Sequence, residues 1–225
     1  MELIETLGTS APALHDAALA AAWPPAAAGT PVEPLPGTGS QAWLRYWIAT
    51  NHHHNASLWA EEDLARRTRV SDAEIAANKR AIDRHNQARN DATERIDEIL
   101  LLELGLVEPA TAGTADPVSR VPAGARLNSE TAGSMIDRLS ILALKIHAMR
   151  QQCARTDVDE THRAEARAKL ARLERQRTDL AGCLDALLAD CRAGRAYFKV
   201  YRQFKMYNDP RFNPALVAER AARAS

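Results

Sequence analysis

From Ser71 to Leu104, the apolar residues Ile75, Ile82, Ile96, Leu100 and Leu104 recur at helical spacing and share one side of a long predicted helix. Midway along, that side turns polar. Asn86, Arg89, Asn90 and Thr93 occupy it, flanked by Asp83 and Asp97. Buried polar groups cost on the order of several kcal/mol unless they are paired. The interruption therefore marks either a buried network with partners on other helices or the lining of a site.

The remaining segments also read as helices. Ser10, with Pro12 just inside, starts a short one that runs to about Trp23. A Pro/Ala/Gly tract, Pro24 to Gly39, reads as an extended linker. Ser40 caps a helix from Gln41 to about Arg67, while Ser71 and Glu74 form a capping box for the polar-striped helix, which Gly105 stops. A helix opening near Asn128–Thr131 carries Met135, Ile136, Leu139, Ile141, Leu142, Leu144, Ile146 and Met149 around most of its circumference, which predicts the most buried helix. Asp159 to Arg192 bears a heptad-like seam of Leu170, Leu173, Leu180, Cys183, Leu184, Leu187 and Cys191. Tyr197 to Tyr207 reads as a shorter helix, with a last helical turn or two after Pro214. No alternating segment of useful length predicts a strand. The expected fold is all-α: an antiparallel bundle of four long helices with short N- and C-terminal helices. Residues 1–39 form the first helix and linker, and 40–225 the bundle domain. The loop Leu106–Leu127 is long enough to be expected functional or mobile.

Composition narrows the function classes. The chain of 225 residues carries 29 Lys+Arg against 29 Asp+Glu, a formal charge of +0, which argues against nucleic-acid binding by phosphate neutralisation. Its three cysteines include no CxxC pair, so they read as reduced core thiols and not as a disulfide or zinc framework. The N-terminus opens with Glu2 and Glu5 and resembles neither a secretory signal nor a transmembrane segment, so the expected address is cytoplasmic. No Gly-rich phosphate loop or nucleophile elbow is present.

The Gln41 helix places Trp43, Trp47, Asn51, His54, Asn55, Leu58 and Glu62 on one broad face, with Trp59 and Asp63 at its edges. Set against Asp83, Asn86, Arg89 and Asn90 of the next helix, that face predicts a polar chamber. In a catalytic chamber, Glu62 and Asp83 are the candidates for general acid/base or metal-binding work. Asn55, Asn86 and Asn90 would orient a ligand, while Arg89 and Arg138 would neutralise an anionic group. Trp59, Glu130 and Asp137 complete the candidate binding set. Asp137 lies among apolar neighbours and invites pairing with an arginine such as Arg89; a site role is the alternative.

His52, His53 and His54 occupy three successive helix positions, point in three directions and cannot chelate one ion together. A divalent metal held through Glu62, Asp83 and Asp137 stays open as a cofactor. Glu94-Arg-Ile-Asp97 matches the acidic pair with which all-α nucleotide pyrophosphohydrolases hold magnesium. However, Glu61-Glu62-Asp63 lacks the stacked spacing of a second pair, and Glu94 reads as solvated. In the segment Tyr197–Tyr207, Tyr197, Tyr201 and Phe204 form an aromatic side expected to dock on the bundle. Arg195, Lys199 and Arg202 form a basic side expected to be solvated, with a membrane surface or a phosphate-bearing ligand as the alternative.

Four strings occur in order: Asn55-x-x-x-Trp59-x-x-Glu62-Asp63, Asp83-x-x-Asn86-x-x-Arg89-Asn90-Asp91, Asn128-Ser-Glu130-Thr-x-Gly133-x-x-x-Asp137-Arg138, and Phe204-Lys-Met-Tyr-Asn-Asp-Pro210. Together they resemble the bacterial family DUF4254, over about Trp43 to Pro214. The family carries no assigned activity. The resemblance implies a loose link to envelope polysaccharide synthesis, hence a sugar-bearing or anionic small molecule and envelope glycan synthesis proteins as expected partners. The leading reading is an accessory protein or enzyme of envelope saccharide assembly with a polar site. One rival is a non-catalytic interaction or scaffold protein whose polar stripe is structural. Another is a magnesium-dependent nucleotide or nucleotide-sugar pyrophosphohydrolase.

Overall fold

The structure is a computed structural model and describes residues 6–21, 29–203 and 209–224. The fold is all-α. Its helices are α1 (Leu7–Ala21), α2 (Ser40–Ala65), α3 (Asp72–Glu103), α4 (Ala132–Ala154), α5 (Glu160–Arg192) and α6 (Pro214–Ala224). Two short strands, β1 (Arg126–Leu127) and β2 (Ala196–Tyr197), pair in parallel and tie the start of α4 to the exit from α5.

Local sequence explains the helix ends. Ser71 accepts from the Glu74 amide while Glu74 reaches back to the Ser71 amide, the reciprocal capping box expected at α3. Thr131 and Asp159 cap α4 and α5 in the same way, each accepting from the amide three residues on. Gly105 and Gly194 stop α3 and α5 at φ 68°, which other residues reach only with strain. In both stops the following amide bonds back to the carbonyl five residues earlier, Leu106 to Leu101 and Arg195 to Asp190. Ser40 is not a cap: it is the first helical residue, after an extended Gly39 that contributes no side-chain bond. α1 starts at Leu7, not Ser10, because Thr9 and Ser10 already bond back to the Thr6 carbonyl; Pro12 therefore sits inside the helix. Trp23 lies outside the described residues.

α2 packs along α3, and α4 along α5. One core joins Leu7 and Ala11 of α1, Leu44 and Ile48 of α2, Ile96 and Leu100 of α3, Ile136 and Leu139 of α4, and Leu184 and Leu188 of α5. α4 touches α1, α2, α3 and α5, as its all-round apolar pattern requires. α1 is fastened to α5 at both ends. The Gly8 amide donates to Asp185 Oδ1 at 2.8 Å, and Arg177 donates to both Asp16 oxygens at 2.8 and 2.9 Å.

The segment expected to be a helix over Tyr197–Tyr207 is extended in its described part. Tyr197 belongs to β2 and residues 198–203 continue without helical bonds; positions 204–207 lie outside the described residues. Tertiary contacts outweigh the helical spacing, since Phe198 is fully buried in the core and the chain must run across α3. Tyr201, expected to dock, is 60% exposed. The loop Leu106–Leu127 is anchored by buried Leu106, Val107 and Ala112 and by a bridge between Val107 and Ser119.

The cysteines divide by environment. All three are free, but only Cys191 is buried; Cys153 is half-buried and Cys183 is exposed, against the expectation of three core thiols. Its seam position on α5 faces a groove beside α4 instead of the core. Burial pushes the Cys191 thiol up to about 11. Titration with Ellman's reagent should therefore give one fast thiol, removed by Cys183→Ser, while Cys191 reacts only on unfolding. Three equally slow thiols would contradict this placement.

Candidate functional site

The polar stripe of α3 meets polar positions on α2 and α4, forming a network that crosses all three helices. Asp137 of α4 is its hub. Asp137 Oδ1 accepts from Asn51 Nδ2 at 2.8 Å and from Asn55 Nδ2 at 2.9 Å. Asn51 also donates to Thr93 Oγ1 on α3, while Asn51 Oδ1 and Ser140 Oγ lie 3.2 and 3.1 Å from Asn55 Nδ2 and share its two hydrogens with Asp137. Asn51 and Asn55 lie one turn apart on α2, so both amides reach the same carboxylate. Their burial is offset by these bonds, which include charge-assisted ones to Asp137.

Arg89 completes the pair expected from the sequence, its Nε lying 3.7 Å from Asp137 Oδ1. That separation is an ion pair without a hydrogen bond, and Arg89 Nε is buried with no hydrogen-bond partner among the described residues. Arg89 also reaches Asn90 Oδ1 at 3.3 Å. Asn90 is buried and donates to Gln203 Oε1 at 2.7 Å, which ties α3 to the extended segment. The side chains of Arg89 and Asp137 keep 27% and 16% of their surface exposed, so this edge of the network faces water. Asn86 is half-buried one turn before Arg89 and Asn90.

The structure does not bring Glu62 and Asp83 into this network. Glu62 pairs with Arg66 at 3.0 Å and Asp83 pairs with Lys79, each within its own helix and each about half exposed. Such exposed pairs are worth ~0.5 kcal/mol or less. Trp59 packs against the small apolar cluster of Leu19, Ala56, Ala143 and Leu144. Glu130 and Arg138 pair with each other along a groove of about 980 Å³ between α4 and α5. Among the described residues, no group of three or more His, Cys, Asp or Glu is arranged to hold a metal ion.

Two carboxylates outside the candidate site set prove to be deeply engaged. Glu94, expected to be solvated, binds Arg202 Nη1 at 2.9 Å and the Gln203 amide at 3.1 Å. Arg202, expected on a solvated basic face, is half-buried between Glu94 and Glu98 and donates to the carbonyls of Ala112 and Thr114. Asp97 is 4% exposed and accepts from the Gly133 amide at 2.6 Å. Burial pushes its carboxyl up to about 7, against hydrogen bonds from Thr131 and Gly133 that favour the charged form, with the Glu94 and Glu98 charges adding to the rise. Glu94 and Asp97 are thus occupied by protein partners and do not present a paired magnesium face.

The histidines diverge as their spacing requires. His52 Nδ1 lies 2.8 Å from Ser140 Oγ on α4, and His54 Nδ1 lies 3.2 Å from His85 Nδ1 on α3. His15 of α1 stacks on His52 with ring centroids 4.7 Å apart. Sequence reasoning missed His15 and Ser140. The polar spacing of α2 pointed at α3 alone, and nothing local showed that α1 would fold back over it.

These features define an all-α protein whose α2, α3 and α4 are cross-linked by a buried amide–carboxylate network with one water-facing arginine–carboxylate edge. The chain belongs to the DUF4254 family, proteins of unknown function, whose model matches residues 45–200. That span holds every network residue from Asn51 to Ser140 and leaves out α1. No curated protein and no solved structure matches the chain.

Proposed function

We propose that this protein binds a small polyhydroxylated ligand, a saccharide or its conjugate, at the Asp137–Arg89 edge of an antiparallel helical bundle. One observation carries the reading. A carboxylate fixed by two amides lies beside a guanidinium whose Nε has no hydrogen bond among the described residues, and both side chains reach water. The network bonds among the described residues all fall on Asp137 Oδ1, which leaves Oδ2 to accept from a hydroxyl. Arg89 can donate to the neighbouring oxygen, so the pair suits adjacent hydroxyl groups. Asn86 supplies a further amide at the rim. The exposed pairing of Glu62 and Asp83 favours binding over turnover. A saccharide ligand also agrees with the envelope-glycan link that the family resemblance implies.

A second reading, a scaffold protein whose polar stripe only fixes helix register, is favoured by the closure of the network on Asn51, Asn55, Thr93 and Ser140. Thermal-shift and calorimetric titration with monosaccharides, sugar phosphates and nucleotide sugars, each with and without Mg²⁺, separates the two. A sugar at about one hundred times its Kd should stabilise the protein by ~2.7 kcal/mol, and Asn86→Ala should weaken that effect while leaving the fold intact. Silence across the panel, with strong destabilisation by Asp137→Ala, would put the scaffold reading first.

A further inference from the structure

Ahead of α2, residues 30–35 run outside any helix or strand and show a repeat of three in their burial. Pro31 and Pro34 are half-buried, whereas Val32, Glu33 and Leu35 are exposed. Val32 keeps 90% of its surface and Leu35 78%, the two highest values among the exposed large apolar residues described. Polyproline II has three residues per turn. In that conformation the two prolines share an inward edge, and Val32 and Leu35 share an edge that faces water.

The sequence enforces this conformation. Each proline fixes its own φ and pushes the residue before it into the extended region, here Thr30, Glu33 and Leu35. Val32 alone in this stretch escapes both constraints. A type II turn then ends the ridge, with Pro36 and Gly37 (φ 85°) at its centre and the Thr38 amide donating to the Leu35 carbonyl at 3.1 Å. Single exposed apolar residues are ordinary. Two on one edge, about 9 Å apart along a rod that prolines have already ordered, form a docking element. Such rods are received by grooves of aromatic side chains, whose rings pack on the apolar edge and whose N–H and O–H groups donate to the solvated carbonyls of the rod. The prolines reduce the ordering cost of docking.

We infer that residues 30–35 are a docking ridge for a second protein, which receives Val32 and Leu35 in an aromatic-lined groove with a Lys or Arg beside it for Glu33. The ridge lies ahead of the span matched by the family model, residues 45–200, and shares no residue with the Asp137–Arg89 edge. It therefore stands or falls independently of saccharide binding.

The test uses the full chain in the cells that make it, with photoreactive benzoylphenylalanine at position 32, at position 35 or, as a control, at position 118, where Val118 is 56% exposed. Irradiation should give the same discrete adduct from positions 32 and 35 and not from 118. The cross-linked partner, identified by mass spectrometry and then purified, should carry the link in a groove lined by Trp, Tyr or Phe. In calorimetric titration of that partner against the full chain, Leu35→Ser should weaken binding about ten- to hundredfold, and Pro34→Ala, which frees the rod, about two- to fivefold. The Tm of Leu35→Ser should stay at the wild-type value, because its side chain is exposed. Any of five results would overturn the inference: no discrete adduct, an adduct with a second copy of this chain only, a link outside any aromatic groove, binding indifferent to Leu35→Ser, or a fall in Tm with Leu35→Ser, which would show that the ridge serves its own fold.

Discussion

Replacing Gly133 by alanine should destabilise the protein by about 3 kcal/mol. A Cβ there would lie 2.6 Å from the Thr93 carbonyl oxygen and 2.9 Å from the Asp97 carboxyl, closer than atoms can approach. Backbone on one side and a buried carboxylate on the other leave no flexible neighbour to give way. α4 would have to move off α3, stretching the 2.6 Å bond from the Gly133 amide to Asp97 and pulling Asp137 away from Arg89. The gain in helix propensity, about 1 kcal/mol, offsets only part of this. Gly182, in the middle of α5, is the control: nothing lies within 4 Å of its added Cβ, so Gly182→Ala should stabilise by about 0.5–1 kcal/mol. Urea unfolding of both variants would check the opposite signs. Equal small effects would mean that α3 and α4 do not touch at Gly133.

Acid should destabilise this protein already between pH 6.5 and pH 4.5, above the range in which ordinary carboxylates titrate. Burial lowers His52 from 6.5 to about 4, against the opposing charge of Asp16 and with His53 adding to the fall, and lowers His15 well below its ordinary value, with charge on His52 and Arg177 adding to it. Unfolded imidazoles take up protons near pH 6.5 while these stay neutral, so the unfolded state binds more protons from 6.5 down to about 4. Stability is therefore complete above 6.5 and falls as pH drops through that window, by about 3 kcal/mol for His52 alone. Asp97 works in the other direction. Its carboxyl, raised from 3.8 to about 7, contributes stability that is fully present below 3.8 and lost as pH rises through 7. The shifts of His52 and Asp97 are similar in size and nearly cancel. His15, fully buried, decides the sign, and the partly exposed His53, His54 and His85, also lowered mainly by burial, add to it. Denaturant titrations from pH 8 to pH 4.5 should show stability falling with acid. Asp97→Asn should steepen the fall and be more stable than wild type at pH 8; a flat profile in both proteins would refute the account.

The helices were legible because their signals are local. Ser71 with Glu74, Gly105, and the periodic apolar residues of α3 and α4 act within a turn or two of themselves, and the structure places them as expected. The pairing of Arg89 with Asp137 was legible for a related reason: a charge in an apolar stripe needs a partner, and few were available. The helix expected over Tyr197–Tyr207 was not, because its periodicity competes with contacts no local pattern encodes. Burying Phe198 and fixing Arg202 between Glu94 and Glu98 require an extended chain there.

By itself, the sequence determined that the chain is helical, where α3 turns polar, and that this stripe must meet partners on other helices, since unpaired polar groups are too costly to bury. Only the tertiary structure decided which groups meet. Asn51 and Asn55 reach Asp137 across helix axes, Asp97 caps the approach of Gly133, and Glu62 and Asp83 stay at the surface. The fold-back of α1 sets His15 on His52. Spacing along one helix fixes which side chains share a face. The rotation and distance of neighbouring helices, set by packing over the whole core, fix what that face touches.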